Sequence, residues 1–97
     1  MSAYAIALLR FKDAQAYRRY SAALAPMLTQ YGGELLAGDD HPLALAGPPC
    51  DRVVLLRFAD SAAARRLFDA PEYAAIAQER DRGAEVQLQL VEGLPAA

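Results

Sequence analysis

His41 is the only imidazole in the chain, and it stands in the run Gly38-Asp39-Asp40-His41-Pro42, next to two carboxylates. Imidazole is the side-chain type that exchanges protons near neutral pH without tuning, so His41 is the candidate general acid or base, and Asp39 or Asp40 could orient its ring. The same five residues also make an ordinary polar turn, in which the imidazole is merely solvated. A second set consists of Tyr4, Arg10, Arg57, Gln87 and Gln89. Guanidinium, amide and phenol groups gathered in a dry site can grip a carboxylate or enolate and stabilise developing negative charge. They are the candidate ligand-binding residues, and in the competing reading the arginines form ion pairs at an interface or reach solvent at its rim.

Other chemistries find no support. The single Cys50 follows Pro48 and Pro49 and precedes Asp51, whose carboxylate disfavours a thiolate, so it reads as an unreactive loop thiol with no disulfide partner. No Cys/His cluster offers a metal site, and although one histidine would suffice as an axial haem ligand, no haem signature accompanies it. No metal and no cofactor are therefore expected. There is no nucleophile elbow and no phosphate-cradling glycine loop. The pairs Arg18-Arg19 and Arg65-Arg66 read as solvated helix faces, and Glu72 as a carboxylate favouring a helix N-terminus.

The 97 residues allow one domain, 1–97, and the formal charge of −2 without a basic cluster argues against nucleic acid. The longest apolar run near the start, Tyr4 to Leu9, is far short of the ~20 residues that cross a bilayer, and no cleavable leader is evident, so a soluble, cytoplasmic protein is expected. Of the apolar residues 22 are alanine, which leaves few large side chains to build a core.

The positions of these groups depend on the elements that carry them. Ala3 to Phe11 is a short apolar run that reads as a strand. Asp13 can cap a following helix on which Tyr17, Tyr20, Leu24, Leu28 and Tyr31 recur at helical spacing. These tyrosines read as core residues that could also wall a ligand site. Pro26 should kink or divide the helix, and Gly32-Gly33 should end it. Glu34 to Ala37 and Leu43 to Ala46 read as strand-like pieces around a turn, a hairpin or one interrupted strand. Arg52 to Phe58 is the clearest strand. Asp60 or Ser61 caps a second helix through Leu67 and Phe68, Pro71 opens another segment with Tyr73 and Ile76 that Gly83 ends, and Glu85 to Glu92 alternates as a half-buried last strand.

This order is the βαββαβ arrangement of an α+β ferredoxin-like sandwich, with a four-stranded antiparallel sheet and both helical layers on one face. If Ala5, Ala7, Leu9 and Phe11 meet the helices, Tyr4, Ile6, Leu8 and Arg10 point away, as do Val53, Leu55 and Arg57 on the central strand. That leaves a contiguous apolar patch uncovered, and a second copy of the sheet is the economical cover, so a homodimer is expected.

The chain resembles the DUF1330 family of small proteins in the dimeric α+β barrel superfamily. The resemblance is carried over nearly the whole length by Ala3-Tyr4-Ala5-Ile6-Ala7, Tyr17-Arg18-Arg19-Tyr20, Leu24-Ala25-Pro26, Tyr31-Gly32-Gly33, Arg52 through Phe58, Pro71-Glu72-Tyr73 and Leu90-Val91-Glu92-Gly93. It implies subunits that pair sheet to sheet into a barrel. The wider superfamily includes cofactor-independent monooxygenases, muconolactone isomerase-like proteins and haem-dependent chlorite dismutases, among which fold alone does not choose.

Two expectations follow. In the first, a homodimeric barrel binds a small anionic or aromatic molecule in the inter-sheet space, held by Tyr4, Arg10, Arg57, Gln87 and Gln89, with His41 as acid or base, and turns it over in the manner of a cofactor-independent monooxygenase or isomerase. In the second, the protein is a noncatalytic assembly or regulatory module whose sheet face is only a dimer interface. RNA binding through the sheet ranks below both, because that face offers mainly Tyr4 for stacking.

Overall fold

The computed structural model describes residues 1–95. Its elements are β1 (Ala3–Phe11), α1 (Ala14–Gln30), β2 (Glu34–Asp39), β3 (Arg52–Phe58), α2 (Ser61–Phe68), α3 (Pro71–Gly83) and β4 (Ala84–Glu92). The strands form one antiparallel sheet in the order β2-β3-β1-β4, the ferredoxin-like topology expected from the sequence. The Cα trace is only 16 Å thick, which fits one sheet and one layer of helices and nothing beyond.

The core lies between those two layers. Ala5, Leu9, Val54, Leu56 and Phe58 bury one sheet face against Tyr17, Tyr20, Leu24 and Met27 of α1, Ala63, Ala64 and Leu67 of α2 and Tyr73 of α3. Period-2 alternation produces this division, because each strand places every second side chain on the same face. The capping reading holds in detail. The Asp13 carboxylate accepts from the N–H groups of Gln15 and Ala16 at 3.1 and 3.4 Å, and Asp60 accepts from Ala63 N–H at 2.7 Å. Gly83, the last residue of α3, ties two connections together, since its carbonyl accepts from the N–H groups of Lys12 and Asp13 at 2.8 and 3.0 Å. A Cβ there would collide with the Tyr17 backbone.

Two expectations need correction. Of the two outcomes expected at Pro26, a kink or a division, the division does not occur, and helix α1 runs through Pro26 as one element. The ring deletes a single backbone bond near the C-terminal end, where the buried contacts of Leu24 and Met27 hold the last turns in place. Leu43 to Ala46 is not a strand: β2 is one strand with a bulge between Leu35 and Ala37, and residues 40–51 form a loop without regular structure. Pro42, Pro48 and Pro49 lack the N–H groups a ladder needs, and Leu43 and Leu45 are 82% and 90% exposed instead of half-buried. The loop is pinned at its end, where Asp51 N–H donates to Leu9 O and the Asp51 carboxylate accepts from Phe11 N–H, both at 2.8 Å. Among the described residues no helix is long and apolar enough to cross a membrane.

Candidate functional site

The helix-free sheet face carries the residues singled out in the sequence, and the strand register spreads them in rows. Arg57 aligns with Tyr4, Val91 and Glu34; Gln89 aligns with Ile6 and Leu55; Gln87 aligns with Leu8 and Val53; Arg10 aligns with Glu85. The Arg10 row lies six residue steps along the strand from the Tyr4 row, about 20 Å. One subunit therefore does not bring Arg10 and Arg57 to a single small ligand. Arg57 is already engaged, with Nη1 3.3 Å from the Glu34 carboxylate and Nε donating to Ser2 Oγ at 3.2 Å. The middle of the face is apolar, with Ile6, Val53 and Leu55 half-buried and Leu8 40% exposed.

Arg10 and Gln87 do meet at a cavity. The 40–51 loop bends over that end of the face, and Ala46, Pro48, Pro49 and Cys50 close a space of about 440 Å³ against Leu8, Arg10 and Gln87. His41 is exposed at the far start of the loop and lines none of the cavities described here. Its two carboxylate neighbours have other duties. Asp39 accepts from the backbone N–H of His41 at 2.8 Å, as in an Asx-turn, and Asp40 accepts from Arg52 at 2.8 Å. The acid/base unit expected around the imidazole is thus not assembled in the subunit.

On the opposite side of the sheet lies a polar cluster that the sequence did not mark out. Tyr20 of α1 and Tyr73 of α3 are both buried, and their hydroxyls are 2.8 Å apart. Arg80, two turns beyond Tyr73 on α3, donates from Nη1 to the Tyr73 hydroxyl at 3.0 Å, and its guanidinium carbon stands 5.8 Å from that ring's centroid. Its Nε donates to Asp81 at 3.0 Å, and its side chain is 20% exposed. Burial works against the charge on Arg80, but the bonds to Asp81 and Tyr73 more than offset it, so the guanidinium stays charged. Burial, reinforced by Tyr73, pushes the Tyr20 phenol far above its ordinary pKa, so Tyr20 remains a proton donor throughout the accessible range.

The donor directions follow from satisfaction of the buried groups. A phenol has one proton and two lone pairs, and Tyr73 oxygen already accepts from Arg80. Tyr20 borders only an internal void of about 30 Å³, whereas Tyr73 borders an open groove. If Tyr73 gave its proton to Tyr20, the Tyr20 proton would be left in an apolar interior at a cost of about 1–3 kcal/mol. The favoured arrangement has Tyr20 donating to Tyr73, which leaves the Tyr73 proton for a third partner. The groove measures about 380 Å³ between α2, α3 and β4, and Phe68, Ala74, Ala77, Leu88 and Leu90 make most of its wall apolar, with Arg65 of α2 also lining it. Arg80 lines both the groove and the void behind it, and Gln89 stands at the groove's border on the edge strand. The combination is an apolar slot with a phenol proton and a guanidinium at its inner end, suited to an anion on a flat body. No carboxylate or imidazole lines it.

A sequence signal for this cluster existed. Tyr73, Ala77 and Arg80 recur at i, i+4 and i+7, one face of a helix, but Gln78 to Arg82 reads as a solvated charged run.

The comparisons agree with the fold. No curated protein matches the chain. The structure of RPA0582, a protein of unknown function from Rhodopseudomonas palustris, superposes with a TM-score of 0.82 at 20% identity, over 98% of this chain and 84% of that one. SnoaB from Streptomyces nogalater, described as a cofactor-independent oxygenase, has a TM-score of 0.71 at 14% identity, over 98% and 95%. A dimeric ferredoxin-like protein of unknown function from Thermobifida fusca has a TM-score of 0.63 at 20% identity, over 94% and 90%. A family model spanning residues 2–94 accounts for almost the whole sequence, and the chain belongs to that family, the domain of unknown function DUF1330.

Proposed function

We propose that this protein is a homodimer that binds a small, flat anionic molecule, a phenolate or an aromatic carboxylate, in the groove ending at Tyr73 and Arg80. The observation that carries the reading is the chain of hydrogen bonds from Tyr20 through Tyr73 to Arg80 at the inner end of an apolar groove. It is a set of donors fixed before a ligand arrives, and preorganised donors are what an anion in a half-dry site needs. The apolar middle of the helix-free face serves assembly, a role supported by the dimeric descriptions of two proteins of similar fold.

The fold likeness to SnoaB supports an oxygenase-type activity as the catalytic form of this reading. A reaction with O₂ without a cofactor needs an electron-rich substrate anion, and Arg80 with the Tyr73 hydroxyl would hold such an anion. With no base lining the groove, the substrate has to arrive ionised.

A second reading places the ligand at Arg10 and Gln87, and the cavity of about 440 Å³ at the rim of the assembly face favours it. Calorimetric titration with salicylate separates the two. Arg80→Gln and Tyr73→Phe should each weaken binding about tenfold, the worth of one hydrogen bond to a charged group, while Arg10→Leu leaves it unchanged. Loss on Arg10→Leu alone moves the ligand to the rim cavity, and no binding by any form leaves only the assembly module.

A further inference from the structure

A third cavity, of about 480 Å³, opens on the helix side at the start of α1 and shares no lining residue with the groove between α3 and β4; Phe11, Tyr17, Arg18, Ser21, Asp40 and Arg52 are among its lining residues. Arg52 is the first residue of β3 and pairs with Leu9, which puts its side chain on the core face with Val54, Leu56 and Phe58. A guanidinium on that face, only 17% exposed, needs partners, and its set is incomplete. Nη1 donates to the Asp40 carboxylate at 2.8 Å and Tyr17 lines the same cleft, while Nε is buried without any partner. The strand beside it makes room. A Cβ on Gly38 would stand 2.6 Å from Arg52 Nη2, so only glycine lets the guanidinium lie against β2 in this position.

Asp40 is a replaceable occupant. It begins the irregular 40–51 loop, its side chain is 64% exposed, and an ion pair with one partner that wet holds little free energy. Across the cleft, Arg18 has no acidic partner among the described residues, and Ser21 sits one helical turn further along the same stripe. Two guanidinium groups thus face a single intramolecular carboxylate. A monocarboxylate ligand would merely exchange for Asp40 and leave Arg18 uncompensated. A phosphate monoester, doubly charged above its second ionisation near pH ~6, would balance both arginines and could accept in addition from Ser21 and Tyr17. The Phe11 and Tyr17 rings, with centroids 5.3 Å apart, supply an apolar wall for the ester's organic part.

We propose that this cleft binds the phosphate group of a small phosphate monoester between Arg52 and Arg18, with the Asp40 carboxylate as the internal group it displaces. The site stands independently of the ligand assigned to the Tyr73–Arg80 groove. Calorimetric titration with phenyl phosphate at low ionic strength and pH 8 tests it. Arg18→Gln should weaken binding about tenfold by deleting one charge-assisted contact, and Asp40→Ala should tighten it about tenfold by removing the competitor. Both residues are exposed, and because Asp40→Ala removes the carboxylate that Arg52 holds, the circular dichroism spectrum and urea midpoint of that variant are measured beside its affinity. Arg80→Gln, which disables the groove, should bind phenyl phosphate as the unaltered protein does, and in that variant benzoate should bind more weakly than phenyl phosphate. Overturning results are an Asp40→Ala affinity no higher than the original, an Arg18→Gln affinity equal to it, benzoate matching phenyl phosphate in Arg80→Gln, or loss of phenyl phosphate binding in that variant.

Discussion

The hydroxyls of Tyr20 and Tyr73 meet at 2.8 Å although 53 residues separate them in the chain, and this contact joins α1 to α3 beneath the sheet. It ends a relay that starts at the half-buried guanidinium of Arg80. Substituting Tyr20 by Phe removes the inner hydroxyl and leaves Tyr73 its bond to Arg80. Loss of one neutral hydrogen bond in a buried place should lower stability by about 1 kcal/mol, read as a shift in the urea midpoint at constant slope. Salicylate affinity should fall less for Tyr20→Phe than for Tyr73→Phe, because only Tyr73 borders the groove. Equal losses would mean that the pair acts through packing.

The helix-free face makes a prediction about assembly. Leu8 is 40% exposed and sits between Val53 and Gln87 in the middle rows, so Leu8→Lys adds a charge where the subunit itself pays little for it. In the proposed homodimer this face is covered by its copy, so a charge stripped of water on each subunit should weaken the dimer roughly 100-fold or more by sedimentation equilibrium. The circular dichroism spectrum should not change. A dimer constant that stays the same would move the interface elsewhere.

Much of this architecture was legible in the chain because period-2 alternation is a local signal. The inward set Ala5, Leu9, Val54, Leu56 and Phe58 and the outward set Ile6, Leu8, Val53 and Leu55 follow from strand phase alone. The same phase, carried back two residues from Val54, puts Arg52 on the core face. Arg80 was harder, because its neighbours Glu79, Asp81 and Arg82 are residues of the same polar kind and only packing against α1 decides which of them turns inward. The misread strand at Leu43 to Ala46 shows the opposite error: apolar residues in alternation are not enough, because a hairpin would have had to lie on the outer edge of β2, and the proline-flanked run leaves that edge with Leu43 and Leu45 exposed.

Gly83 is fixed by space rather than by dihedral freedom. An added methyl group would run into the Tyr17 backbone at the joint where Gly83 O receives Lys12 and Asp13 N–H. Backbone gives way less readily than a side-chain tip, so Gly83→Ala should cost about 1–3 kcal/mol by overpacking, despite alanine's better helix propensity. Thermal unfolding would detect it, and a gain in stability would show that the α1–α3 joint can slide apart freely.

Alkaline pH should unfold the protein earlier than its charge balance suggests. Tyr17 and Tyr20 both have phenols raised by burial, Tyr17 despite an opposing contribution from Arg52. In the unfolded chain both would ionise around pH ~10, whereas in the folded chain they stay protonated beyond it. The unfolded state therefore binds fewer protons than the folded one above that pH, and stability falls as pH rises. Below the ordinary phenol range the two residues are protonated in both states, so they contribute no slope there. The urea midpoint should be insensitive to them up to about pH 9 and should decline steadily above pH ~10. Tyr20→Phe should flatten that decline while lowering the plateau, because it removes one of the ionisable groups together with its hydrogen bond. A decline of the same steepness in Tyr20→Phe would assign the alkaline sensitivity to other groups and would mean that Tyr20 ionises in the folded protein.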